Sequence, residues 1–276
     1  MRTEMLRQEA SGQKGRQVRC EQVRTQMCSQ VRAEMRPEVC TEELNLMKTV
    51  QPRSPQPDAA LAAAGLRLLE TYAGLAERGE HLLGRLLAGE APRQWAHYPE
   101  DDAIDHASNY QWFYHSHSPE DRPGAVEHGH IHLFARKPLW GRRLYSRSER
   151  AFAELCGNPS ANPATRHLLT IGFDAKGLPI SLFTVNSWVT GDLMLGADLT
   201  LELLSSLTLG TGHPEVDAVI ESVARLCEPE LREVMRLRDE ALRSHQAAGK
   251  LQDEALELLS EVRIDLDAKL SALSAV

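Results

Sequence analysis

No run of apolar residues in the 276-residue chain approaches the roughly 18 needed to cross a bilayer, so no membrane partner is expected. The opening "MRTEMLRQEASGQKGR" is charged throughout and lacks the apolar stretch of a secretory signal. Cysteine is scarce and odd in number: Cys20, Cys28, Cys40, Cys156 and Cys227, with no C-x-x-C pair. That excludes a disulfide framework and a cysteine zinc site, and it fits a reducing cytoplasm. Positive charge is also short. The net charge is −8, so no global field draws in a phosphate backbone, and no nucleic-acid partner is expected. The one dense basic stretch outside the N-terminal region is "RKPLWGRRLYSR", 136–147.

Hydrophobic content of 42% and charged content of 25% are those of an ordinary globular protein. Residues 1–57 differ from the rest. "VRCEQVRTQMCSQVRAEMRPEV" has little aliphatic bulk, and "MKTVQPRSPQPD" reads as a protein start at Met47 followed by a Pro-rich linker. The segment is expected to be a disordered or mis-called extension. A single domain is expected over 58–249, and an amphipathic helix over 250–276.

The domain opens with helical spacing after an Asp58 cap, with an apolar stripe at Leu66, Leu69, Tyr72, Leu75, Leu82 and Leu86 and glycines dividing and ending it at Gly79 and Gly89. The period then changes to two. "SNYQWFYHSHS" reads as a strand with Tyr110, Trp112 and Tyr114 on one face and Gln111, Phe113, His115 and His117 on the other. "HGHIHLFARK" reads as a second strand, and "RHLLTIGFD" and "LPISLFTVNSW" flank a "DAKG" turn. "SRSERAFAELCG" is a helix with a serine cap, and Pro214 and Pro229 open later helices. The expected class is α+β: a small antiparallel sheet of about four strands, an N-terminal helix, a helical C-terminal third, and helices packed on the sheet.

Histidine is what this chain concentrates. Five of its eleven, His115, His117, His128, His130 and His132, fall within residues 115–132. On a strand, i and i+2 share a face about 6.5–7 Å apart and can converge on one ion, whereas i and i+4, about 13 Å apart, cannot. His128 and His132 therefore should not share a metal. Pairing the strands with His117 opposite His128 and His115 opposite His130 makes a square of four imidazoles. His115, His117, His128 and His130 are the expected ligands of a divalent transition metal, with zinc, iron, copper and nickel equally suited to neutral nitrogen donors. Glu127 or Asp105 is expected to orient a ligand, and His132 to be the odd member. Asp102 and His106 lie near Asp105 in "DDAIDH", which reads as a solvated loop. His81, His97, His167, His213 and His245 read as isolated surface or satisfied residues.

"HYPEDD", "YHSH", "EHGHIHLFAR" and "LFTVNSWVTGD" together resemble an uncharacterised bacterial family, a domain of unknown function, over roughly residues 60–245. The resemblance implies no activity, but it places Asn186 and Trp188 with the histidine hairpin as a pocket rim. The paired H-x-H motifs are similar only locally to cupin sites, whose glycine context is absent here. "HGHIHLF" is also similar to the histidine-triad motif, which would make His130 a nucleophile toward a nucleotide phosphate, with His132 helping to hold the phosphate and Arg136 nearby. Three functional readings follow: a metalloprotein, enzymatic or not, acting on a small-molecule ligand; a non-catalytic binding module with a structural histidine patch, dimerising through its C-terminal helices; and phosphate chemistry.

Overall fold

The structure is a computed structural model that describes residues 59–87, 89, 93–116, 126–247 and 249–274. All belong to one compact unit beginning at Pro57. The expectations for the N-terminal extension, Asp58 and His117 lie outside the described residues.

The class is α+β as expected, but the sheet is larger than four strands. Among the described residues seven strands form it: β1 (Tyr98–Asp105), β2 (Tyr110–His115), β3 (Gly129–Arg136), β4 (Thr165–Phe173), β5 (Pro179–Val185), β6 (Leu193–Met194) and β7 (Leu258–Arg263). The order is β1-β2-β3-β4-β5-β7, antiparallel throughout, and the two-residue β6 pairs parallel with β4 off this path. Between β4 and β5 the "DAKG" turn is built as read. Asp174 Oδ1 accepts from the backbone of Lys176 (2.8 Å) and Leu178 (2.9 Å), and Gly177 takes φ +74°.

The helices are α1 (Ala59–Glu77), α2 (Leu82–Leu86), α3 (Lys137–Trp140), α4 (Arg147–Leu155), α5 (Ser187–Thr190), α6 (Ala197–Ser205), α7 (Pro214–Leu226), α8 (Glu228–Ser244) and α9 (Leu266–Ser274). Ser146 caps α4 through the Glu149 amide, and Pro214 and Pro229 sit in the first turns of α7 and α8. The stripe of α1 is displaced from the one read in sequence. Leu66 and Leu69 are exposed, and Ala64, Gly65, Leu68 and Leu75 are buried. Gly65 explains the shift: a Cβ there would stand 2.9 Å from Leu273, so the bare backbone is what lets α9 lie against α1.

The single C-terminal helix expected over 250–276 is corrected. The segment is a 3-10 turn (Lys250–Gln252), the edge strand β7 and then α9. Its leucines carry a helix-like spacing, yet β5 leaves an edge to be paired, and tertiary pairing outweighs local propensity. Leu266, Leu270 and Leu273 of α9 pack on the chain's own core.

The two faces of the sheet differ. On one, Tyr110, Trp112, Tyr114, Ile131 and Leu133 pack with α1, α6 and α7 in the main core. Buried polar tips on this face are satisfied: Trp112 donates to Asp217 (2.9 Å) and Tyr110 to the Leu203 carbonyl (2.8 Å). The other face carries Phe113, His115, His130, His132, Phe134 and Phe183, and it lines a cavity of about 590 Å³. Among the described residues no helix is long and apolar enough to cross a membrane.

Candidate functional site

Two strands and one register make the site. β2 and β3 pair with His115 opposite His130 and Phe113 opposite His132, the register read from the sequence. Cross-strand partners share a face, so His115, His130 and His132 converge. Ring centroids are 4.4 Å (115–130), 4.7 Å (130–132) and 5.0 Å (115–132) apart. One ring nitrogen from each lies within 4.8 Å of the others. All three side chains are buried, at 8%, 3% and 1% exposure.

Of the expected quartet, His115 and His130 converge and His128 does not. The i, i+2 pair that shares the face is His130 and His132, the member expected to be odd. His128 precedes the strand in a bend, is exposed, and shares a 3.1 Å hydrogen bond with the hydroxyl of Tyr114, a residue of the helix-covered face. Gly129 makes room for this. A Cβ there would meet the Tyr114 ring at 2.6 Å, so the bare backbone lets the tyrosine lie over it and reach His128.

Glu127, expected to orient a ligand, lies against His130. Its carboxylate meets His130 Nδ1 in a short contact. A carboxylate oxygen only accepts, so Nδ1 carries the proton and Nε2 presents a lone pair. That Nε2 faces His115 Nε2 at 2.6 Å. Room for the carboxylate comes from β4, where Gly172 lies opposite His130 and a Cβ on it would stand 2.7 Å from Glu127 Oε2.

His132 Nδ1 lies 3.1 Å from both the Thr170 hydroxyl and His167 Nε2, which leaves Nε2 as the nitrogen that can enter a metal's shell. His167 belongs to this network, although it read as an isolated histidine. Its pKa is pushed down to about 3, by burial first and then by the charges of Arg238 and His130, so it serves as a neutral partner. His167 and Thr170 are three apart and would face opposite ways on a regular strand. A bulge pairs Leu133 with Leu169 but Phe134 with His167, and the extra residue turns His167 onto the histidine face.

The remaining expected residues divide. Trp188 lines the cavity and donates to the Leu256 carbonyl (3.2 Å). Asn186 does not line it. Its Nδ2 binds the carbonyls of Lys250 (2.8 Å) and Leu256 (2.9 Å), and its Oδ1 caps α5 through Ser187. Asp105 is a turn residue. It accepts from Ala107, Ser108 and Gly210 on the far side of β1 and β2. Arg136 ends β3 beyond the cavity lining.

Two residues that read in the sequence as surface or solvated line the cavity. His97 stacks on Phe113 (3.7 Å, 7°) and meets Asp102 through Nδ1 (2.9 Å), with its ring 6.3 Å from that of His115. A bulge in β1 and a left-handed Asp102 (φ +55°) aim that carboxylate inward, a feature no sequence period reveals.

No curated protein and no solved structure matches the chain. A family described as "Domain of unknown function (DUF6969)" matches residues 62–264, which include His115, Glu127, His130, His132 and the cavity residues named above. With most of its 276 residues inside that match, the chain belongs to this family of unknown function.

Proposed function

We propose that the protein binds one divalent transition metal through His115, His130 and His132 and acts as a metalloprotein on a small molecule held in the cavity above it. The observation that carries this reading is the convergence of three buried imidazoles, ligand nitrogens within 4.8 Å, on a cavity of about 590 Å³. Metal–nitrogen bonds of about 2.0–2.1 Å would separate ligand nitrogens by about 3 Å, so small ring rotations suffice. The tautomer set by Glu127 presents His130 Nε2 as a donor, and Thr170 and His167 do the same for His132. Three neutral nitrogen donors leave positions open to water or substrate. This supports hydrolytic or oxidative chemistry, and zinc, iron, copper and nickel all fit such a donor set.

Phosphate chemistry of the histidine-triad kind is less well supported. The cavity lining contains no lysine or arginine among the described residues, and Arg136 is not part of it. The binding-module reading drew on the C-terminal helix as a docking face, and the leucines of α9 already pack on their own chain.

Protein purified without a histidine tag, in metal-supplemented medium, should carry about one metal per chain by elemental analysis. His130→Ala should lose it, and chelation should lower the melting temperature of the parent but not of the variant. A metal-free parent whose melting is indifferent to added zinc, iron, copper and nickel would end this reading in favour of a hydrogen-bonded histidine network.

A further inference from the structure

We infer that the cavity selects a small cationic amine with an aromatic or apolar body, its charged end at the mouth. This rests on the reading of the cavity as the site of action, and it names the ligand class. The sign of charge along the lining is what decides it. Asp102, Asp192 and Glu257 line the cavity, and no lysine or arginine does among the described residues. The rings of Trp95, Phe113 and Trp188 line it as well.

The two aspartates are held by weak donors rather than by cations of the lining. Asp102 Oδ2 accepts from the Gln111 amide (2.7 Å), and its Oδ1 meets His97. Asp192 Oδ1 accepts from the Thr165 hydroxyl (2.6 Å). Burial first, and the charge of Asp102 with it, raise the Asp192 pKa, against the Thr165 hydrogen bond and Arg166. Both carboxylates line the one cavity, where an entering cation can meet either.

An anion entering the mouth meets three carboxylates and no lysine or arginine of the lining among the described residues, and only an ion at the imidazole floor would draw it in. A neutral molecule gains the aromatic walls alone. An ammonium gains both the carboxylates and the ring faces, because a ring's negative quadrupole attracts a cation. A volume of about 590 Å³ suits a ligand of one ring and a short chain, and the imidazole floor gives its far end a place to meet the metal.

Three probes matched in ring and chain separate the cases: phenethylamine, 2-phenylethanol and 3-phenylpropionate, titrated calorimetrically into the full chain before and after chelation. After chelation, when no ion at the floor can draw a carboxylate, phenethylamine should bind at least tenfold more tightly than 3-phenylpropionate. Asp192→Asn should weaken the amine several-fold and leave the alcohol unchanged. Glu257→Gln, at an exposed position where folding is not at stake, should act in the same direction. His130→Ala should abolish metal content yet keep the amine preference, so a failure of the metal reading shows in elemental content and a failure of this inference shows in the titration. In the chelated protein, equal affinities, a preference for the carboxylate, no binding of any probe, or folded Asp192→Asn and Glu257→Gln proteins that bind the amine like the parent would each overturn it.

Discussion

His128 and His132 differ by four positions and by everything that matters chemically. Both come from one H-x-H-x-H run, yet His132 is buried beside His115 and His130 while His128 is exposed against Tyr114. His132→Ala should therefore abolish stoichiometric metal binding, and His128→Ala should leave it within twofold of the parent. Elemental analysis of both variants decides this, and loss of metal from His128→Ala would restore the four-histidine square. Glu127 acts at the same scale through His130. Removing a carboxylate that fixes a ligand's tautomer typically costs 10–100-fold in metal affinity. Glu127→Gln should fall in that range by competition with a chromophoric chelator. Gly172→Ala should move affinity in the same direction, because its Cβ would occupy the space of the carboxylate, 2.7 Å from Oε2. A Gly172→Ala protein with parental affinity would show that Glu127 can be seated elsewhere.

At the scale of elements, the sequence was readable where its period was regular. Alternation in "NYQWFYH" and "GHIHLFAR" assigns the faces of β2 and β3 and their register, because cross-strand pairs must keep Tyr110, Trp112 and Tyr114 on the core side and the histidines on the other. The missing strands had physical reasons to be missed. β1, "YPEDDAID", is an acidic edge strand with a bulge; β6 is two residues long; β7 spaces its leucines like a helix. The same bulges hid His167 and Asp102, since one inserted residue reverses the face of all that follow. Asn186 shows how a rim-like motif can be architecture. Its amide bridges the end of β5 to the carbonyls of Lys250 and Leu256 and begins α5. Asn186→Ala leaves those partners unpaired and should cost about 2–3 kcal/mol, at roughly 1 kcal/mol or more for each lost bond. Thermal denaturation should register this as a drop of several degrees, with metal content at folded temperatures unchanged. A stability-neutral variant with lost metal would instead assign Asn186 to the site.

At the scale of the whole molecule, the sheet is a wall between a helix-packed apolar core and a histidine cavity, and polar ties hold the helices to it. Asp217 receives the Trp112 indole, and Asp105 receives the Gly210 amide from the loop that precedes α7. Asp105 makes the second tie pH-dependent. Burial by itself would raise its pKa, but hydrogen bonds from Ser108, Ala107 and Gly210 more than reverse this and hold the carboxyl below its ordinary range. A carboxyl whose folded pKa lies below its unfolded value stabilises the fold fully above the unfolded value of about 3.9, and that contribution is lost as pH falls through the folded value. Asp105→Asn keeps the size but cannot accept with a charge, so it should cost about 1–3 kcal/mol near neutral pH. The gap between parent and variant in denaturant titrations should stay constant from pH 7 to about pH 5 and then narrow as acid neutralises the parent's carboxyl. Chelated protein isolates the effect from any acid release of a bound metal. A gap that persists unchanged below pH 3 would mean that the Asp105 charge contributes nothing and that the tie is held by shape alone.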